Sequence, residues 1–273
     1  MLSLLKVKDS HIKYYLSGLT LLLLIVAFST HQIVFFSFLA LSPLFGLYDL
    51  KKNKEVTGLQ FVLLVSIPLI VSYSGSVVIS EDETFAFLSK SFLYAVLMAL
   101  SFIIFSFTDS YARNRIGYFT ILIYWVALEY VVLLVDPEMI KLSLATNFDQ
   151  FSYLIGWSAD TGLLGVSLWV LVGNVLFYYV FVRDNAIFQG KIRWLSLVYS
   201  IVLLVLPVLI SATLYKSENE IFSNVYGELF DNILNQKAGY LDQEYLGKTS
   251  LWVSMLIISY SFVKSFTNNE KSR

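Results

Sequence analysis

Eight apolar blocks dominate the chain: residues 13–29, 32–50, 58–80, 85–108, 116–135, 161–183, 195–215 and 250–267. A helix rises about 1.5 Å per residue, so about 17 to 25 apolar residues cross the roughly 30 Å hydrocarbon layer of a membrane. Within that layer an unpartnered backbone N–H or C=O costs several kcal/mol, which leaves the helix as the form a single spanning segment can take. The blocks predict an all-α, polytopic membrane bundle of about eight transmembrane helices, one domain over residues 1–273. Charge content agrees, since 14% of the residues are charged against about a quarter in a soluble domain. Basic residues precede the first block as in a signal peptide, but no small-residue cleavage site follows, and "STHQ" turns straight into the second block.

Lysine and arginine set the expected orientation. With the N-terminus inside, 14 of the 19 basic residues and every arginine fall on inner segments, as the positive-inside rule requires. The acids lean outward, with "EDE" at 81–83 and most of 218–244 on the other side. Both termini are therefore expected to be cytoplasmic.

Two outer segments are long. Residues 136–160 include "KLSLATNFDQFSYLIGW", too short to span and too apolar for a free loop. An interfacial or re-entrant piece is expected, with Trp157 at headgroup depth. Residues 216–249 read as an amphipathic surface helix. Ser217 and Glu220 form a capping box, Ile221, Phe222, Val225, Tyr226, Leu229, Phe230, Ile233 and Leu234 recur at helical spacing, and Gly239 is a stop. Such a helix either packs on its own bundle or docks a separate protein.

Cysteine is absent and only His11 and His31 could supply imidazole. Disulfides, thiolate sites and a cysteine nucleophile are excluded, no metal or cofactor is expected, and no catalytic set is visible. No nucleic-acid partner is expected.

The unusual residues are polar ones inside the blocks. Glu129 sits in "YWVALEYVVLL", seven residues before Asp136; Lys90 lies seven after Glu83. Each is then about 10 Å below the outer surface, and consecutive helices are usually neighbours. A Glu129–Lys90 pair is one expectation. Snorkelling of Lys90 toward the headgroups, with Glu129 neutral, is the other. Ser72, Ser74 and Ser76 of "SYSGS" share this outer layer, as do Gly162, Gly165 and Ser167 of "TGLLGVS". Asn174 is the main polar residue of the inner halves. Polar groups in hydrocarbon favour helix contacts or a wet cavity, and their crowding toward one face predicts a cleft open to the outer leaflet.

"WVALEY", "LSLA" at 142–145 and "GWSADTGLLGVSLWVLVGN" at 156–174 resemble the membrane part of bacterial apolipoprotein N-acyltransferase, and "LALSPLFGLYDL" at 39–50 resembles that family's second span. The matching positions are Trp125, Glu129, Leu144, Gly162, Gly165, Ser167 and Asn174. The resemblance implies eight spans in a bacterial cytoplasmic (inner) membrane and a link to lipoprotein biosynthesis. This chain lacks the nitrilase-like catalytic domain that the family inserts before its last span. Gly156 stands where the family often has Gln, and Ala145 replaces a turn glycine. The implied protein is not an enzyme on its own. It would bind a membrane lipid, a lipoprotein or a separate periplasmic protein at the outer leaflet, using Trp125, Glu129, Lys90, Ser72, Ser74, Ser76, Gly162, Gly165, Ser167 and Asn174. Two other readings stand beside it: a small transporter or channel using Glu129 and Lys90, and a purely structural subunit.

Overall fold

A computed structural model describes residues 11–29, 34–79, 85–112, 117–183, 194–214 and 245–271. Its helices are α1 (Ile12–Ser29), α2 (Ser37–Ala40), α3 (Ser42–Lys52), α4 (Gly58–Ile79), α5 (Phe85–Ala112), α6 (Phe119–Val135), α7 (Ser158–Phe177), α8 (Trp194–Leu214) and α9 (Tyr245–Lys271). Among the described residues, six segments are long and apolar enough to cross a membrane, and Ile12–Phe28 and Phe119–Val135 are shorter apolar helices. The bundle is that of an integral membrane protein. The amphipathic helix expected over 216–249 lies outside the described residues up to 244; residues 245–249 form the first turn of α9, which extends the expected 250–267 span in both directions.

Sequential helices pack antiparallel, so the bundle has two chemically distinct ends. One end gathers the C-terminus of α3 and the N-termini of α1 and α6, with Lys52 and Arg183 nearby; we call it the basic end. The opposite, acidic end carries Asp136 and the segment that follows α6. Helices α1 to α7 share one core. By contrast, only 17% of the spanning window of α8 and 22% of that of α9 is buried, so most of their apolar surface faces outward, as lipid-facing helices require.

Three backbone irregularities shape the paths of α2, α3, α4 and α7. Pro68 inside α4 has no N–H to give the Leu64 carbonyl, and Ser17 of α1 donates into that carbonyl at 2.9 Å. The second apolar block is not one helix. It breaks at Leu41, two residues before Pro43, into α2 and α3. Asn174 repairs the break: its Oδ1 accepts from the Leu41 N–H at 2.7 Å, and its Nδ2 donates to the carbonyls of Ser37 at 2.7 Å and Val170 at 2.9 Å. The freed backbone groups thus find partners without water. Finally, α7 runs into a π turn at Tyr178–Val182, just beyond the point where Ser42 donates to the Asn174 carbonyl at 2.9 Å.

Residues 136–160 fold as two 3-10 segments, Pro137–Leu142 and Leu144–Leu154. Leu142, Leu144, Ala145 and Phe148 are buried against the bundle, and Asn147 Nδ2 donates to Ser37 Oγ at 3.0 Å. The segment is a packed part of the core face, and Trp157 is half-buried beside Trp169.

Candidate functional site

Two carboxyl-centred clusters lie at different levels of the bundle. The first surrounds Glu129 on α6, which has no exposed surface. Tyr94 of α5 donates to Glu129 Oε1 at 3.3 Å, and Ser167 of α7 donates to the same oxygen at 3.0 Å. Ser143, between the two 3-10 segments, meets Ser167 Oγ at 3.1 Å. Trp125, one turn before Glu129, is fully buried, with its indole N–H near the carboxyl but outside hydrogen-bond geometry. Four elements therefore converge on one carboxyl, whose Oε2 is buried and accepts no hydrogen bond among the described residues.

The expected Glu129–Lys90 pair does not form. Lys90 Nζ lies 2.8 Å from Asp136 Oδ2, and both side chains keep about a quarter of their surface exposed. The lysine reaches up to the end of the bundle, as long cationic chains do, while Glu129 is left to uncharged hydroxyls. Nor does Glu129 open outward; its carboxyl is enclosed by the helices that carry its donors.

The other residues expected at this site divide. Ser72 Oγ turns back to the Pro68 carbonyl at 2.6 Å, Ser74 is half-buried further along α4, and Ser76 follows in the same helix. Gly162 has φ of 72°, which an L side chain rarely adopts, and it kinks the start of α7. At Gly165 a Cβ would fall 2.4 Å from Thr161 Oγ1. Both glycines shape the first turns of α7 that present Ser167. Asn174 lies seven residues past Ser167, about 10 Å along the helix, and serves the α2–α3 break instead. Tyr94 and Ser143 join the cluster without having been singled out by the sequence pattern. The signal for Tyr94 is its place one helical turn after Lys90.

The second cluster lies at the basic end, around Asp49 near the C-terminus of α3. Tyr118, just before α6, donates to Asp49 Oδ1, and Tyr178 of the π turn donates to Oδ2. Next to it, Tyr48 donates to Asp109 at 2.5 Å, and Lys52 lies 3.4 Å from the same Asp109 oxygen. A cavity of about 780 Å³ opens here, its lining including the apolar Ile12, Leu16, Leu50 and Val182 and the polar Asp49, Tyr118, Tyr178, Tyr179, Lys52 and Arg183. Gly46 lets its walls meet, because a Cβ there would stand 2.5 Å from Val182 Cγ1. The backbone beside the cavity is unusual twice over. Its π turn is a form that occurs often at functional sites, and Lys54 closes α3 at φ 65°, where a helix-ending motif favours glycine. By sequence the inner halves are nearly free of polar groups; Asp49, Tyr118 and Tyr178 correct that.

The two clusters lie at different levels, and the hydrogen bonds of Asn174 of α7 with Ser37 and Ser42, and of Asn147 with Ser37, fall between them. Tyr118, just before α6, and Glu129 are eleven residues apart, as are Ser167 of α7 and Tyr178 of the π turn that follows it, which puts the two levels about 16 Å apart. Between them lie Phe45, Phe102 and Trp125, all without exposed surface, with ring centroids 5.5 Å apart for Phe45–Phe102 and 6.5 Å for Phe102–Trp125.

No protein-family model, curated protein or solved structure matches the chain.

Proposed function

We propose that this integral membrane protein is a non-catalytic binding protein that holds an amphiphilic molecule in the basic-end cavity. The observation that carries this reading is a cavity of about 780 Å³ whose lining combines aliphatic side chains with tyrosines and carboxylates. A hydrocarbon chain gains by contact with the aliphatic residues, and a polar head is oriented by the tyrosines and carboxylates, the usual division of labour in ligand sites. In this reading Glu129 is an internal brace, and a head-group seat at the outer leaflet is set aside because the carboxyl has no exposed surface. The absence of cysteine agrees with a binding rather than an acyl-transfer role. A dock for a separate periplasmic protein would fall on 216–249, most of which lies outside the described residues.

Native mass spectrometry of the full chain released from membranes tests the proposal. A bound amphiphile is expected on the unaltered protein and on Glu129→Gln, and it should be missing from Leu50→Trp, which fills the cavity. Equal retention by Leu50→Trp, with unchanged folding by thermal melting, would count against this site.

A further inference from the structure

Asp49 and the tyrosines around it have a geometry that bears on the charge of the head group. The rings of Tyr118 and Tyr178 are 4.8 Å apart at 65°, those of Tyr178 and Tyr179 are 5.0 Å apart at 64°, and those of Tyr118 and Tyr179 are 6.2 Å apart at 68°. Three rings so steeply inclined to one another cannot stack as a slab. They form a corner of packed rings at the cavity, Tyr178 buried and Tyr118 and Tyr179 half-buried, with Asp49 fastened between Tyr118 and Tyr178 by the phenol hydrogens. An aromatic face attracts a cation through its quadrupole, and a carboxylate at the same corner adds a full charge.

The charges around the cavity point the same way. Among the described residues Asp49 forms no ion pair; its oxygens accept phenol hydrogens. Glu55 adds a second carboxylate to the lining. The two basic residues of the lining are already engaged: Lys52 with Asp109 at 3.4 Å, and Arg183 over the Tyr179 ring at 5.3 Å. The guanidinium on Tyr179 is an internal example of a cation on an aromatic ring of this lining.

We propose that the cavity selects an ammonium group, primary or quaternary, borne on a hydrocarbon chain, held by Asp49 against the half-buried ring of Tyr118, with Glu55 in the same lining. This rests on the cavity's holding an amphiphile and adds the charge of the head. The ammonium comes from either a free alkylamine or a lipid head group, and the two sources are separable.

The test uses the full chain in uncharged dodecyl maltoside micelles, with binding read by calorimetry. The probes are octyltrimethylammonium, 1-nonanol as an uncharged chain of similar length, tetramethylammonium as the head alone, and short-chain phosphatidylethanolamine against phosphatidylglycerol. Octyltrimethylammonium should bind at least about tenfold more tightly than nonanol, and Asp49→Asn should remove most of that preference. Tyr178→Phe, which keeps the buried ring and loses one bond to Asp49, should weaken the preference less than Asp49→Asn does. Preference for the ethanolamine lipid over both the glycerol lipid and octyltrimethylammonium assigns a lipid head group; preference for octyltrimethylammonium assigns a free amine. Equal binding of octyltrimethylammonium and nonanol overturns the ammonium assignment and leaves the amphiphile reading standing. If no probe binds a chain that melts cooperatively, both fall.

Discussion

Glu129 and Asp49 are both carboxyls inside an apolar bundle, and both accept hydrogen bonds from tyrosine. Their surroundings nevertheless differ. Glu129 is enclosed, with donors drawn from α5 and α7 and a neighbour from the segment after α6. Asp49 lines a cavity, beside a π turn and a lysine at positive φ. A polar group in hydrocarbon can tie helices together or face a hollow. This bundle does the first at its acidic end and the second at its basic end, with Phe45, Phe102 and Trp125 between them.

The sharpest way to break the comparison is to remove each carboxyl. Glu129→Ala strands two buried donors, Tyr94 and Ser167, in a dry place, and should cost about 3 kcal/mol in unfolding from detergent. Asp49→Asn keeps shape and one acceptor beside an open cavity, and should cost no more than about 1 kcal/mol. A larger loss at Asp49 would reverse the assignment of brace and seat. Ser167→Ala removes the link between Ser143 and Glu129 and should cost about 1 to 2 kcal/mol, measured the same way. Lys90→Met breaks a partly exposed ion pair, so a loss below about 1 kcal/mol is expected; an effect as large as that of Glu129→Ala would mean that Lys90 supports the acidic-end cluster after all. The smallest effect sharpens the picture of the cavity rim. Lys54→Gly relieves a left-handed residue and should raise stability by about 0.5 to 1 kcal/mol, seen as a higher Tm.

The helices are legible in the sequence because hydropathy in long blocks leaves few alternatives, and each apolar block coincides with a helix or a broken pair of helices. Among the described residues six segments, against eight expected, are long and apolar enough to cross a membrane. The break at Leu41 is not legible, since Pro43 marks a disruption but only the fold brings Asn174 to it. At the acidic end, equal counts of residues from the outer ends put Lys90 and Glu129 level. The count picks the right pair of helices and the wrong pair of side chains: Lys90 reaches Asp136, and Tyr94, one turn deeper, meets Glu129. The basic end is hidden for another reason. Lys52 and Arg183 serve in the sequence only as markers of orientation, and Asp49, Tyr118 and Tyr178 are too far apart along the chain for spacing to join them.

The contrast between a sealed carboxyl and an open one has a direct test, helped by a chain with no cysteine of its own. Single cysteines at Leu50, on the cavity wall, and at Ser167, beside Glu129, can be labelled with N-ethylmaleimide in detergent, where reaction needs access and a thiolate. Leu50→Cys should label readily and be protected by octyltrimethylammonium, while Ser167→Cys should stay unlabelled until the protein is unfolded. Rapid labelling at Ser167→Cys with a shielded Leu50→Cys would contradict the account.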